Sequence, residues 1–258
     1  MQEASGEVGG RVPDYGNWVS RRLIVANVTP ALIFLVLSRI AVAFAVGAAA
    51  FLLASAYFAY ARWRFSRRGG DIQGKIRQLV LDRVVWDGRG SALDVGCGNG
   101  PLVIALAKVF PAARVTGVDF WGGLWGYSRS ACEGNAGAEG VADRVEFRRA
   151  SAARLPFGDG TFDVVVSNLV FHEVRDTADK TLVITEALRV LRKGGCFVLQ
   201  DLFKLKRLYG DTDELVRKVE ASGVATVEFV DSGSSAFIPK ALRLPFMVGT
   251  LGILHGVK

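Results

Sequence analysis

Hydrophobic and polar positions divide the chain into two regions of different character. Residues 23–38 and 40–61 carry no charged side chain, and only Arg39 separates the two stretches. From residue 71 onward, short apolar runs alternate with segments in which apolar side chains recur every three or four positions. The first pattern is typical of membrane-spanning helices and the second of an ordinary α/β domain. We therefore divide the chain into a short polar start (1–20), a transmembrane anchor (21–68) and a globular domain (71–258).

The longer apolar stretch has the length of a transmembrane helix. At about 1.5 Å per residue, a helix over residues 40–61 extends about 33 Å, and a bilayer core is about 30 Å thick. Either this stretch spans alone, with the shorter stretch at the interface, or both span as a hairpin with Ser38 and Arg39 at its tip. A helical hairpin buried in a soluble protein is a third possibility, which so long an uncharged run disfavours.

The charges that flank the two stretches favour the hairpin. Arginine-rich flanks prefer the cytosolic side of a membrane. A hairpin puts both flanks on that side, although its first stretch is short and contains Pro30. We therefore expect a membrane protein whose globular domain faces the cytosol. The flanking arginines are Arg21, Arg22, Arg62, Arg64, Arg67 and Arg68.

The globular domain has the pattern of a doubly wound fold. Helical repeats begin at Ile72 and Pro101, and a third helix is expected to end at Gly194 and Gly195. Strands that alternate with helices predict an α/β fold with a doubly wound, mostly parallel, seven-stranded sheet. The seven predicted strands are ALDV, RVTGVDF, RVEFRRA, FDVVVSN, CFVLQD, ATVEFV and FMVGTLGILHG.

The net charge and the cysteine content limit which partners and which metal sites the protein can be expected to have. The net charge is +7, but many of the arginines flank apolar segments, so a membrane surface explains the charge better than a nucleic acid does. The three cysteines are Cys97, Cys132 and Cys196; they form no CxxC pair and accompany only two histidines. We therefore expect no zinc site and a reducing compartment for the folded part.

A glycine-rich loop follows the first predicted strand. Gly96, Gly98 and Gly100 alternate with other residues directly after ALDV. Glycines there let the backbone turn tightly and approach a ligand closely. The third glycine comes one position too early for a dinucleotide-binding fingerprint. Asp94 lies inside the motif, where a carboxylate disfavours a phosphate and favours a cationic ligand.

The stretch LDVGCGNG resembles the first motif of the class I S-adenosylmethionine-dependent methyltransferases. Within that family, the sequence resembles the group known as methyltransferase type 11. Three further segments resemble this family in the expected order: VTGVDF, ASAARLPFGDGTFDVVVSNLVFHEV and LRVLRKGGCFVLQD. The resemblance covers residues 88–258 and implies a Rossmann-like methyltransferase fold with S-adenosyl-L-methionine as cofactor.

The resemblance also implies a set of cofactor contacts. Asp94 matches the acid that holds the amino-acid end of the cofactor, and Asp119 matches the acid that binds the ribose hydroxyls. Ser151 stands where many relatives carry an acid that contacts adenine, so we expect altered adenine contacts. Phe120 and Leu124 are candidates to pack on the adenine, unless this aromatic segment only covers the sheet. The full set of expected cofactor residues is Asp94, Gly96, Cys97, Gly98, Asn99, Gly100, Asp119, Phe120, Ser151, Ala152 and Asn168.

Methyl transfer from a sulfonium needs positioning, and a base only where the acceptor must lose a proton. His172 and Glu173 follow the fourth predicted strand, at the sheet edge where open α/β folds bind ligands. They are the candidate acid/base residues, with the alternative that His172 only hydrogen-bonds nearby backbone.

Two basic, partly apolar segments indicate the chemical class of the methyl acceptor. LFKLKRLYG follows the fifth strand and SGSSAFIPKALRLP lies between the last two strands, both at the expected rim of the site. Such segments suit an anionic membrane surface, although a solvated basic face explains each one equally well. With the anchor, they predict a bilayer partner and a small apolar or amphipathic acceptor: a lipid, quinone, thiol or phenol.

Two other functions compete with a membrane-anchored methyltransferase. A nucleotide-dependent oxidoreductase is disfavoured by the glycine spacing and Asp94. A membrane-tethered module that binds S-adenosylmethionine without turnover predicts cofactor binding but no methyl transfer.

Overall fold

Seven strands form one mixed sheet in the computed structural model, which describes residues 12–122 and 126–258. The spatial order is β3-β2-β1-β4-β5-β7-β6. Strands β1 to β5 run parallel, and β7 runs antiparallel to both of its neighbours. This topology confirms the predicted Rossmann-like fold class. The strands are β1 (Gly90–Val95), β2 (Ala113–Asp119), β3 (Val145–Arg149), β4 (Phe162–Asn168), β5 (Leu191–Asp201), β6 (Thr226–Val230) and β7 (Gly252–Val257).

Helices cover both faces of the sheet. One buried cluster joins the sheet to α3, α4 and α5, and the other joins it to α6 and α8. The fully buried runs of β1 and β4 agree with strands that are covered on both sides. The helices of this domain are α3 (Ile72–Leu81), α4 (Pro101–Val109), α5 (Arg129–Ala138), α6 (Thr181–Arg189), α7 (Lys206–Tyr209) and α8 (Thr212–Ala221).

The prediction that a helix ends at Gly194 and Gly195 was wrong. Helix α6 ends at Arg189, and both glycines lie within β5. The β4–β5 register shifts between Phe162 and Val164, and a Cβ on Gly195 would lie 2.8 Å from the carbonyl oxygen of Asp163. Gly195 therefore permits a close approach of backbone in an irregular part of the sheet.

Two helices precede the globular domain and pack against each other. Helix α1 (Arg21–Leu37) and helix α2 (Ala43–Phe65) run antiparallel, with residues 38–42 between them. The ring of Phe34 lies 5.8 Å from that of Phe44, and Ser55 Oγ donates to the Ile24 carbonyl oxygen at 3.4 Å. Most of the outward side chains are apolar and exposed, including Leu53 and Val46 at 72% each.

Among the described residues, α2 is the helix whose length and composition suffice to cross a membrane. Helix α1, with 17 residues and an internal proline, falls short of that length. Insertion of one helix or of both stays a prediction.

The hairpin is attached to the carboxyl edge of the sheet. Ala61 and Phe65 of α2 share a buried cluster with Ile238, Leu242 and Val248. These last three belong to the β6–β7 segment, residues 231–251, which emerges at that edge. Tyr57 Oη donates to the Ala241 carbonyl oxygen at 2.9 Å. The base of the apolar hairpin therefore lies beside the rim at which ligands enter this class of fold.

The two basic segments lie at this rim but differ in character. After β5, Phe203 and Tyr209 are buried, so this segment contributes its aromatic rings to the core. In the β6–β7 segment, Phe246 is 66% exposed and packs its ring 6.1 Å from that of Tyr57. Only the second segment combines exposed apolar side chains with contact to the hairpin.

Candidate cofactor and active site

The glycine loop runs from the end of β1 to the first turn of α4. Gly96, Gly98 and Gly100 all adopt positive φ angles, of 77°, 56° and 82°. L-residues rarely adopt this conformation. A Cβ on Gly96 would also lie 2.1 Å from Cγ2 of Val170, which follows β4. The glycines therefore allow the loop to lie directly against the end of β4.

Asp119, the last residue of β2, holds the glycine loop in place through hydrogen bonds. Its two carboxylate oxygens accept hydrogen bonds from the backbone N–H of Gly98 and of Trp121, each at 2.8 Å. Trp121 Nε1 in turn donates to the Gly98 carbonyl oxygen at 2.9 Å. Because a carboxylate has about four acceptor sites, Asp119 can still bind a pair of hydroxyl groups.

Two of the expected cofactor residues contribute buried oxygens that have no hydrogen-bond partner among the described residues. They are Asp94 Oδ1, at the end of β1, and Asn168 Oδ1, at the end of β4. Burial, followed by the charge of Asp119, raises the pKa of Asp94 to about 8. A buried acceptor without a partner is costly. A ligand that brings an ammonium group to Asp94 would remove this cost, so the site fits a cationic ligand.

The other expected cofactor residues surround the loop. Cys97 is buried, and its backbone N–H donates to the Val118 carbonyl oxygen at 2.9 Å. Asn99 accepts from the Ser128 backbone N–H at 3.2 Å. Phe120 is 61% exposed, with the guanidinium of Arg149 over its ring at 4.8 Å. Leu124 lies outside the described residues.

Ser151 and Ala152 follow β3, at the same edge of the sheet. The hydroxyl of Ser151 donates to the carboxylate of Asp176, and Ala152 is buried. The structure thus brings Asp94, Asp119, Ser151 and Asn168 to the carboxyl ends of four adjacent strands.

His172 is held by a buried carboxylate that the sequence analysis missed. Asp201, the last residue of β5, is fully buried, and its Oδ1 lies 2.6 Å from His172 Nδ1. Its Oδ2 accepts from the backbone N–H groups of Val170 and Phe171 at 3.0 and 2.7 Å. The positive φ of Leu169, 59°, turns the chain from β4 toward this carboxylate.

The pair fixes the protonation of the imidazole. Nδ1 of His172 faces the carboxylate of Asp201 at 2.6 Å, so the tautomer with its proton on Nδ1 is the one that forms this hydrogen bond and leaves the lone pair on Nε2. Burial lowers the pKa of His172, but the charge and hydrogen bond of Asp201 outweigh it, so the pKa is raised above 6.5. Glu173 Oε1 lies 3.8 Å from Nε2. His172 therefore has the geometry of an oriented base.

An N-terminal strap, residues 12–19, was also missed. Asn99 Nδ2 and Asn135 Nδ2 both donate to the Asp14 carbonyl oxygen, at 3.3 and 2.9 Å. The strap therefore crosses beside the glycine loop before the chain enters α1. It was assigned to a polar start because its partners lie far along the sequence.

Comparisons with known proteins agree with this geometry. The family described as "Methyltransferase domain" matches residues 93–199. A demethylmenaquinone methyltransferase of Lactiplantibacillus plantarum is 38% identical over 123 residues, 47% of this chain and 49% of the relative. A ubiquinone/menaquinone biosynthesis C-methyltransferase, UbiE, of Desulfotalea psychrophila is 29% identical over 206 residues, 70% of this chain and 79% of the relative. The chain thus spans about half the length of the first relative and 79% of the length of the second.

A solved structure shares the fold. The geranyl diphosphate C-methyltransferase from Streptomyces coelicolor A3(2), in complex with S-adenosyl-L-homocysteine, has a TM-score of 0.54 at 14% identity. The likeness covers 74% of this chain and 82% of that chain. The domain match and the sequence relatives lead to one conclusion: residues 93–199 form a domain of the class I S-adenosylmethionine-dependent methyltransferase type.

Proposed function

We propose that this protein is a membrane-anchored methyltransferase that moves the methyl group of S-adenosylmethionine to a small, apolar, hydroxyl-bearing acceptor of the quinol class. The observation that carries the proposal is the His172–Asp201 pair beside the glycine loop. A buried carboxylate that orients a histidine serves an acceptor that must lose a proton. The quinone-related names of two relatives support the same acceptor class.

The residues of the site divide between cofactor and acceptor. Asp94 and Asn168 hold the amino-acid end of the cofactor, Asp119 holds the ribose, and the loop from Gly96 to Gly100 lies beneath it. The bound cofactor supplies an electrophilic methyl group on a sulfonium. Nε2 of His172 takes the proton from the acceptor hydroxyl, and Asp201 stabilises the imidazolium that forms. The oxygen, or the ring carbon conjugated with it, would then take the methyl group, and S-adenosylhomocysteine would be the leaving group. A ring carbon that takes the methyl group would afterwards lose its own proton to restore the aromatic ring.

The acceptor class is tested by methyl transfer in a membrane. The full chain in lipid vesicles is incubated with methyl-labelled S-adenosylmethionine and one of two hydroquinones, with or without an isoprenoid tail. We expect the tailed acceptor to be methylated at least about tenfold faster, since vesicles concentrate it at the hairpin. Asp119→Ala is the inactive control. Equal rates on the tailless acceptor without vesicles would contradict the proposal, and binding without any transfer would favour a non-enzymatic module.

Membrane insertion is tested with a charge in the middle of α2. A lysine at the centre of a membrane helix costs about 2.5–3.5 kcal/mol, so Leu53→Lys is expected to shift the protein from floated vesicles toward the soluble fraction. Val85→Lys is the matched control, because Val85 is also an exposed apolar residue, at 84%, but lies in the globular domain. If both variants float like the unaltered chain, the anchor assignment is wrong.

A further inference from the structure

The β6–β7 segment contacts helix α2 well before the end of that helix. Tyr57 lies about 12 Å along the helix from Phe65, at about 1.5 Å per residue. Its hydroxyl donates to the Ala241 carbonyl oxygen at 2.9 Å, and its ring packs 6.1 Å from that of Phe246. The segment therefore extends along α2 beyond the buried cluster at its base.

The length of α2 determines the depth of this contact. From Ala43 to Tyr57 the helix rises about 21 Å, whereas a bilayer core is about 30 Å thick. If α2 crosses the membrane, the core must therefore extend beyond Tyr57 toward the end of the helix. The next charged residue, Arg62, comes about 7.5 Å further along, beside the half-exposed ring of Trp63. Arginine and tryptophan are typical of the membrane boundary, so the groups that pack on Tyr57 lie on its apolar side.

The part of the segment that touches the Tyr57 ring is an exposed apolar turn. This turn comprises residues 244–247, with the sequence LPFM, and is called the apolar turn below. Phe246 is 66% exposed and Leu244 is 37% exposed. An aromatic and an aliphatic side chain exposed together beside an apolar helix are suited to the boundary between lipid headgroups and acyl chains.

Hydrogen bonds within the apolar turn lower the cost of moving its backbone out of water. The Leu244 carbonyl oxygen accepts from the backbone N–H groups of Met247 and Gly249, at 2.9 and 3.1 Å. Pro245 has no N–H, and its carbonyl oxygen accepts from the Thr250 hydroxyl at 3.4 Å. Unsatisfied backbone groups are costly in hydrocarbon, and these bonds remove several of them.

The charges around the apolar turn suit an anionic membrane surface. No acidic residue occurs from 232 to 258, whereas Lys240 and Arg243 come shortly before the turn. Arg243 donates to the carbonyl oxygens of Ile238 and Ser235, at 3.0 and 3.2 Å. Lys240 is exposed and forms no ion pair with a described residue. Lys240 is therefore the cation that is available to a lipid phosphate.

One buried cluster connects the apolar turn with the active site. Leu242 and Val248, on either side of the turn, belong to the cluster that includes the base of α2. Leu169 and Leu202 pack against the same cluster, and they directly follow β4 and β5. The turn and the His172 region are therefore joined through a continuous apolar contact.

We propose that the apolar turn inserts into an anionic bilayer beside α2, with Phe246 and Leu244 below the headgroups and Lys240 at the lipid phosphates. The globular domain is then held against the membrane at two places, and an apolar acceptor enters the site from the lipid between them. The inference rests on the membrane anchor of the proposed function, because α2 determines the depth of the turn.

A spin label at the apolar turn tests the proposal. The full chain with Phe246→Cys is labelled with a nitroxide and placed in vesicles of phosphatidylcholine and phosphatidylglycerol. The three native cysteines are buried, and the unaltered chain, treated in the same way, measures their background labelling. Oxygen dissolves in acyl chains and a water-soluble nickel chelate does not, so the two collision rates identify the surroundings of the label.

The matched control is Val85→Cys, which labels an exposed apolar position of the globular domain, and Leu53→Cys labels the middle of α2. We expect the nickel collision rate at Phe246→Cys to be at least about fivefold lower than at Val85→Cys, because polar solutes are excluded from hydrocarbon. Oxygen collisions should be at least as frequent as at Val85→Cys. Leu244→Cys should show the same protection. Calorimetry with S-adenosylhomocysteine verifies that each labelled variant is folded.

Three other results would each overturn the proposal in a recognisable way. Protection from nickel at Leu53→Cys but not at Phe246→Cys would mean that the anchor spans the membrane while the turn stays in water. Nickel access at both positions would overturn the anchor assignment and this proposal together. Low collision rates with both nickel and oxygen at Phe246→Cys would mean that protein, such as a second copy of the chain, covers the turn instead of lipid.

Discussion

Replacing His172 with glutamine is expected to lower the rate of methyl transfer about 10²- to 10⁴-fold. Glutamine can still hydrogen-bond to Asp201 but cannot take a proton. The dissociation constant of S-adenosylhomocysteine should stay within about twofold, because His172 belongs to the acceptor side of the site. Single-turnover rates and calorimetry on the same variant measure the two quantities. A variant that loses binding and rate together would assign His172 to the cofactor.

The pH dependence of the rate identifies the role of Asp201. Since the pKa of His172 is raised above its usual 6.5 by the charge of Asp201 despite burial, the base becomes active only as the pH rises through that raised value. Asp201→Asn removes the negative charge, so the rising limb of the profile should move to lower pH while the plateau rate falls. A purely structural aspartate would change the plateau and leave the position of the limb unchanged.

The elements whose signals are local could be predicted from the sequence. Strands β1, β4 and β5 each contain a short, nearly continuous apolar run, and the glycine loop is a feature of five consecutive residues. The residues taken from the family resemblance, such as Asp94 and Asp119, lie at the ends of these strands. The fold class, and the edge of the sheet at which the cofactor is expected to bind, could therefore be predicted from sequence patterns that extend over about ten residues.

The features that were missed depend on contacts between distant residues. In the sequence, Asp201 looks like the polar end of a strand. Its hydrogen bond to His172 forms because β4 and β5 are neighbours in the sheet. The end of α6 was misplaced because glycines after a helix resemble a C-cap, whereas pairing with β4 draws Gly194 and Gly195 into a strand. The strap contains no periodic pattern, so its position beside the glycine loop is visible only in three dimensions.

The affinity for S-adenosylhomocysteine is expected to rise about 15-fold between pH 6 and pH 7.5, because binding requires the ionised form of Asp94 and the protonated α-amino group of the ligand. Burial and the charge of Asp119 raise the pKa of Asp94 in the free protein to about 8. Below that pH the carboxyl group holds a proton that an incoming ammonium group must displace. Affinity therefore increases with pH until the α-amino group of the ligand itself loses its proton, at about pH 7.7–8.0, and falls beyond it.

Stability of the free protein should depend on pH in the opposite direction. The folded-state pKa of Asp94 lies above its unfolded value of 3.8, so the native state binds the extra proton between these values. The stabilisation is fully present below the unfolded pKa and is lost as the pH rises through about 8. Thermal unfolding without ligand should thus lose stability over the same range in which affinity for S-adenosylhomocysteine grows.

Two controls link both effects to one carboxyl group. Asp94→Asn should remove the rise in affinity and flatten the stability curve, while Asp163→Asn, at the opposite edge of the sheet, should change neither pH dependence. Methylthioadenosine, which has no amino-acid part, should bind with little dependence on pH. If its affinity rises with pH as steeply as that of S-adenosylhomocysteine, the titrating group is not the partner of the ammonium. The unpaired oxygen of Asp94 would then need a different ligand atom, and the ammonium group of the cofactor would need a different acceptor.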